Sequence, residues 1–113
     1  MHRHRILIDL DGVLNTYKGD FIVDKIEPIK NDAKEFIIKL AKDYDLYLFT
    51  SRNLLLASKW LIENDLDKYF IDVTNIKMTA TIYLDDRGVC FNGDFENTLK
   101  QIKEFKTHWE KEL

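Results

Sequence analysis

Arg5-Ile6-Leu7-Ile8-Asp9-Leu10-Asp11-Gly12-Val13 is the stretch on which the fold turns. Its apolar run is too short for a helix and rich in β-branched residues, so it reads as a buried strand, stopped by Asp11-Gly12. The same kind of run recurs at Leu46-Tyr47-Leu48-Phe49, at Ile71-Asp72-Val73 and at Thr81-Ile82-Tyr83-Leu84. Between these runs the period changes. Asp32 followed by Glu35 resembles a capping box, and Phe36, Ile37, Leu40, Ala41 and Tyr44 then fall on one helical face. A second helix is expected from about Asn53 to Asn64, with Leu54, Leu55, Ser58, Leu61 and Ile62 inward. A last one follows Asp94, with a seam of Phe95, Leu99, Ile102, Phe105 or Lys106, Trp109 and Leu113. Strands alternating with helices predict βαβ units: an α/β, three-layer, Rossmann-like sandwich, its mainly parallel sheet covered by helices on both faces. Val89-Cys90-Phe91 is expected to add a short fifth strand. The link from Asp85 to Gly88 is too short for a parallel connection, so that strand would run antiparallel at the edge.

The remaining composition bounds the class. At 113 residues, 45% apolar and 33% charged, the chain fits one domain, 1–113, able to fold without disulfide or metal staples. A single cysteine, Cys90, excludes an intrachain disulfide and a cysteine-based zinc cluster, and its apolar strand setting predicts a packed core thiol. No run approaches the ~20 apolar residues of a membrane helix, and the basic start has no signal-peptide core behind it. The expectation is a cytoplasmic protein without a membrane partner. A net charge of −3 disfavours broad nucleic-acid binding, while a local basic patch stays open. Residues 13–29, with a turn at Lys18-Gly19-Asp20 and a stop at Pro28, read as a hairpin-like flap.

The chemistry-bearing side chains fall just past the strands. Asp9 and Asp11 follow the first, Thr50 and Ser51 the second, Asp85 and Asp86 the fourth. In an open α/β sheet the ligand crevice lies outside those carboxyl ends, so the six should converge. An aspartate after a strand is by itself a common turn former. Two acidic strand ends that face each other repel unless a cation joins them, and four hard oxygen ligands suit Mg²⁺.

Ile6 to Val13, an apolar strand followed by Asp-x-Asp-Gly, resembles the first motif of the haloacid dehalogenase (HAD) superfamily of phosphatases. Leu48-Phe49-Thr50 resembles its second motif, Lys77 stands where the third supplies a lysine, and Tyr83-Leu84-Asp85-Asp86 resembles the fourth. The resemblance implies Mg²⁺-dependent phosphate monoester hydrolysis through an aspartyl-phosphate on Asp9. It makes Asp11 the general acid and then base, and it sets Thr50 and Lys77 on the phosphoryl oxygens. The metal ligands it implies are Asp9, the Asp11 carbonyl, Asp85 and Asp86, with the division between the last two left open. The Leu10, Asp11 and Ser51 amides would complete a phosphate cradle, and Arg52 would touch a second anionic group of the substrate or pair with a nearby acid. Asp11 favours a phosphatase over the family's dehalogenases and transport ATPases.

Only 27 positions separate Thr50 from Lys77, and the first gap holds just the flap and one helix. Neither gap accommodates a cap domain. An uncapped site admits a phosphorylated small molecule or an exposed phosphate on a macromolecule, unless another subunit of a homo-oligomer covers it. Competing readings are a polynucleotide-end phosphatase and a non-catalytic phosphate-binding or regulatory protein. A phospho-receiver domain shares the ingredients, but there the lysine comes last. Of the other polar residues, Tyr17, Lys18 and Arg87 either approach the substrate or stabilise the fold locally, His2 and His4 are expected to bind no metal, and His108 belongs to the last helix.

Overall fold

The computed structural model describes residues 3–111; His2 and Leu113 lie outside them. In chain order the elements are β1 (Arg5–Asp9), α1 (Ala33–Ala41), β2 (Asp45–Phe49), α2 (Leu54–Glu63), a 3₁₀ turn (Asp67–Tyr69), β3 (Asp72–Thr74), β4 (Ile82–Leu84) and α3 (Phe95–Glu104). The four strands form one sheet in the order β3-β2-β1-β4, and every pairing is parallel. Ile6 pairs with Leu46 and Ile82, and Ile8 with Leu48 and Leu84. With a side-chain period of two, these residues share one face of the sheet.

That face carries the core. Ile6, Ile8, Leu46 and Leu48 bury against Ile37 of α1 and Ala57, Trp60 and Leu61 of α2. Both crossovers, β1 to β2 and β2 to β3, run in the same direction along the sheet, so right-handed connections place both helices on the same side. The return from β3 to β4 crosses the opposite face, and there residues 75–81 contain no helix. Instead the loop folds over Tyr83, whose hydroxyl donates to Met78 O at 2.7 Å and accepts from Ala80 N at 3.1 Å. The expected third layer is therefore absent among the described residues: the connection is too short and polar to supply a packed helix. The coarser expectation, an α/β fold on a parallel sheet, holds.

Local chemistry explains the remaining differences. Asn53 caps α2 by accepting from Leu55 N and Leu56 N at 2.9 and 3.1 Å. The expected capping box at α1 does not form, because Asp32 sits in the left-handed region (φ 69°) with its side chain away from the helix amides. On α2 the inward face is rotated from the expected one: Leu55 is 79% and Ile62 62% exposed. Trp60 sets this phase, since its indole N–H donates to Glu27 O at 3.2 Å and draws that side of the helix under the flap. Val89 to Phe91 join no strand and Cys90 is exposed, correcting both the fifth strand and the packed thiol. β4 is only three residues long and offers this segment little ladder to extend.

Asp94 caps α3 as expected, accepting from Glu96 N and Asn97 N. The helix ends at Glu104, short of Trp109, and its stripe of Phe95, Leu99 and Ile102 lies open to solvent. Urea denaturation should separate the two kinds of apolar residue. Ile37→Ala is expected to cost about 2–5 kcal/mol, whereas Leu99→Ser should stay within about 0.5 kcal/mol of the parent. Equal losses at both positions would mean that α3 is packed in solution.

Candidate active site

Asp9 closes β1 and the chain turns at once, with Leu14 N and Val13 N both returning to Leu10 O. Gly12 makes the turn feasible: its φ is 84°, and a Cβ there would collide with the Asp86 carboxylate. Two pockets flank Asp9. One, of about 250 Å³, is lined by Asp11, Ser51, Asp86 and Arg87 together with the flap rings of Tyr17 and Phe21. The other, of about 270 Å³, lies on the uncovered sheet face between Leu7, Phe49 and Tyr83, with Lys77, Asp85 and Arg87 at its rim.

The convergence expected of Asp9, Asp11, Ser51, Asp85 and Asp86 is thus present, and Lys77 reaches the same neighbourhood. The Lys77 ammonium stands 4.8 Å from the centre of the Tyr83 ring, a cation–π contact that holds it over the pocket. Thr50 is 1% exposed and lies behind the cleft lining. Its hydroxyl accepts from Arg52 N at 3.1 Å, and its amide extends the ladder to Thr74 O. The Leu10 amide is not free for phosphate, because it donates to Phe49 O at 3.2 Å and continues the β1–β2 ladder. The Asp11 and Ser51 amides donate to no protein acceptor among the described residues, so two of the three expected cradle donors remain.

Arg52 takes the second of its two anticipated roles. Its side chain is fully buried, and Nε donates to both oxygens of Asp11 at 3.0 and 2.9 Å. The rest of the guanidinium binds Ile22 O, Lys25 O and Glu27 Oε1 and stacks on Phe21. All three guanidinium nitrogens are engaged with protein acceptors. Asn15, which the sequence reading missed, is equally buried. Its Nδ2 donates to Asp11 Oδ1 at 2.9 Å, and its Oδ1 accepts from Gly12 N and Tyr17 N. An amide side chain four residues past Asp11 was the available signal. The flap closes through the antiparallel bridge of Asn15 with Ile29, so its hairpin character is confined to its base.

Burial, followed by repulsion from Asp86, Asp11 and Asp85, pushes the Asp9 carboxyl from 3.8 up to about 7. Of the like charges that crowd here, Asp11 is the one paired with a buried cation, Arg52. In donor chemistry the cluster fits Mg²⁺: hard carboxylate oxygens whose repulsion a divalent ion relieves. Among the described residues, however, no three His, Cys, Asp or Glu side chains are drawn together into a ligating group. Arg52 holds Asp11, and Asp85 Oδ1 accepts from Arg87 N at 2.9 Å. Comparison with models of protein families, with curated proteins and with solved structures finds no match to this chain.

Two outcomes follow from these contacts. Arg52→Ala strands the Asp11 and Glu27 carboxylates and two flap carbonyls, and should cost about 3–5 kcal/mol in chemical denaturation. Asp9 gives a pH signature. Its folded pKa lies above its unfolded one, so the folded state loses stability as pH climbs from about 4 to about 7. In chelator, Asp9→Asn should therefore raise stability at pH 8 by the order of 2 kcal/mol. The gain should vanish near pH 4, where the parent carboxyl is largely protonated in the folded state. A gain independent of pH would refute the repulsion account.

Proposed function

We propose that the chain is a Mg²⁺-dependent phosphomonoesterase of the HAD type with no cap domain. The observation that carries this reading is the meeting of the Asp9-x-Asp11 turn with the Asp85-Asp86 pair across adjacent parallel strands, β1 and β4. The order of the four motifs along the chain supports the reading, with Asp9 and Asp11 at the end of β1 and Asp85 and Asp86 at the end of β4.

In this reading the Asp9 carboxylate attacks phosphorus and forms an acyl-phosphate bond as the ester P–O bond breaks. Asp11 gives a proton to the departing oxygen. Asp11 Oδ1 is held by both Arg52 and Asn15, while Oδ2 meets only the shared Arg52 Nε–H, so Oδ2 is the oxygen left to handle that proton. Asp11 then takes a proton from water, which attacks the aspartyl-phosphate and restores Asp9. The free Asp11 and Ser51 amides, with Lys77 and Arg87 at the pocket rims, face charge that spreads over the phosphoryl oxygens. Mg²⁺ on Asp9, Asp85, Asp86 and the Asp11 carbonyl would supply the positive charge that lets an anionic nucleophile meet an anionic ester. Gly12 serves by letting the Asp86 carboxylate lie against the turn that carries Asp9 and Asp11.

A second reading, a phosphate-binding protein without turnover, draws on the tie between Arg52 and Asp11 and on the lack of a drawn-in carboxylate trio. Hydrolysis of a generic aryl phosphate decides between them. The enzyme should turn over with Mg²⁺, stop with chelator and lose roughly a thousandfold or more in kcat on Asp9→Asn, with about 10²–10⁴ lost on Asp11→Asn. Folded protein that binds beryllofluoride with Mg²⁺ yet hydrolyses no ester in a broad panel would establish the second reading.

A further inference from the structure

The sequence pattern places Trp109 on the last helix, facing inward. In the structure α3 ends at Glu104, and residues 107–111 form a separate turn that doubles back to the site. Thr107 anchors this turn: it is 3% exposed, its carbonyl accepts from Glu110 N and Lys111 N, and its hydroxyl donates to Glu110 Oε1 at 3.0 Å. The turn makes two contacts at the carboxyl end of the sheet and one with the flap. Trp109 Nε1 donates to Asp86 Oδ2 at 3.0 Å. His108 Nε2 lies 2.8 Å from Gly12 O, a carbonyl that also accepts from Lys30 Nζ at 3.0 Å. The Trp109 ring lies so close to the flap tip that a Cβ on Gly19 would stand 3.1 Å from it. Arg87 completes the cluster, its guanidinium 5.9 Å from the Tyr17 ring and 6.0 Å from the Trp109 ring.

We propose that Trp109 is a positioning residue for the Asp86 carboxylate, acting from the turn at 107–111 through its indole N–H. The inference rests on the phosphatase reading above. Its physical basis is the choice of donor. A carboxylate that must ligate a cation needs a fixed orientation without losing its charge. Lysine or arginine would fix Asp86 but neutralise it, whereas an indole N–H is neutral and has one proton in one direction. With Oδ2 occupied by that proton, Oδ1 is the oxygen left for the metal. Outer partners of ligating carboxylates typically carry 10–100-fold of a site's metal affinity. The ring serves separately, by supporting the flap at Gly19, so the two functions can be divided by substitution.

Trp109→Phe keeps a ring against Gly19 and removes only the donor. Titration calorimetry with Mn²⁺ and Mg²⁺ on the full chain should show about tenfold weaker binding in Trp109→Phe, with the thermal midpoint in chelator unchanged. Metal should also alter tryptophan emission in the parent, and Trp109→Phe should abolish that change. Because the effect passes through Asp86, the same substitution in an Asp86→Asn background should alter affinity less than twofold. Parent-like metal affinity in Trp109→Phe overturns the proposal and leaves the phosphatase reading standing. So does a lowered midpoint with unchanged affinity, which marks a structural role. Tighter binding in Trp109→Phe overturns it as well, since the indole would then compete with the metal. If the parent binds neither cation at millimolar concentration and hydrolyses no ester, the phosphatase reading falls, and the proposal with it.

Discussion

The buried Arg52 guanidinium is the interaction on which the loops at the carboxyl end of the sheet depend. It stands at the turn from β2 to α2, yet its partners belong to the turn after β1 and to the flap. A charge with no solvent contact must have every donor satisfied, and this one is stable only while Asp11, Ile22 O, Lys25 O and Glu27 hold their positions together. That mutual requirement turns a flap with one bridge pair at its base into a defined structure. It also explains why Trp60 rotates α2: its indole fastens Glu27 O from beneath, next to the carboxylate that Arg52 engages. The hydrophobic face of the sheet stabilises the fold, while the guanidinium selects one arrangement of the loops above it.

A second constraint acts against the first. Asp9, Asp11, Asp85 and Asp86 are gathered at the ends of two adjacent strands, and their repulsion raises the Asp9 pKa. Asp11 is the member relieved by a fixed cation. Asp85 and Asp86 are held by neutral donors, a backbone amide and an indole, which orient them but leave their charge in place. The site is therefore divided electrostatically. One carboxylate is paired with a protein cation, and the others are oriented by neutral donors, as the proposed metal site would require. Burial next to uncompensated negative charge is a destabilising arrangement, and its persistence is what favours a functional over a structural account of these residues.

Much of this was legible in the sequence for a definite reason. Ile6 to Ile8 and Leu46 to Leu48 are strands because their apolar runs are short, continuous and β-branched or aliphatic, and that signal is local. The placement of Asp9, Asp11, Ser51, Asp85 and Asp86 followed from topology once the strands were in order. What could not be read depends on distant partners. The phase of α2 is set by Glu27 O, the destination of Arg52 by the flap, and the end of α3 by contacts that Trp109 and His108 make with Asp86 and Gly12, 23 and 96 positions away. The apolar period of Phe95, Leu99, Ile102, Phe105 and Trp109 is a fair helical signal, but Trp109 gains a hydrogen bond to Asp86 by leaving it. Val89 to Phe91 failed as a strand for the complementary reason: apolar character marks a segment for burial without supplying a partner to pair with.

These contacts also change how an uncapped site should be understood. A capless enzyme needs some means of limiting water at the reacting centre and of fixing its metal ligands. In the proposed reading both tasks would fall to two short segments, the flap and the turn at 107–111. The flap brings Tyr17 and Phe21 to the cleft beside Asp9, and the turn at 107–111 meets it through Trp109 and Gly19. Neither segment packs a core of its own. Each is held by a few directed bonds to the sheet: Arg52 and Asn15 for the flap, Trp109 and His108 for the turn. Cover built this way is thin, and it leaves the pocket beside Tyr83 and Lys77 open on the face where the third layer is missing. The cleft is walled by the Tyr17 and Phe21 rings on the flap side of Asp9 and is open on the sheet side. In the proposed phosphatase reading, in-line attack by Asp9 would send the leaving group away from the nucleophile and toward Asp11, into the walled side. In that reading selectivity should reside in Tyr17, Phe21 and Arg87, which line this side of the cleft from two different loops.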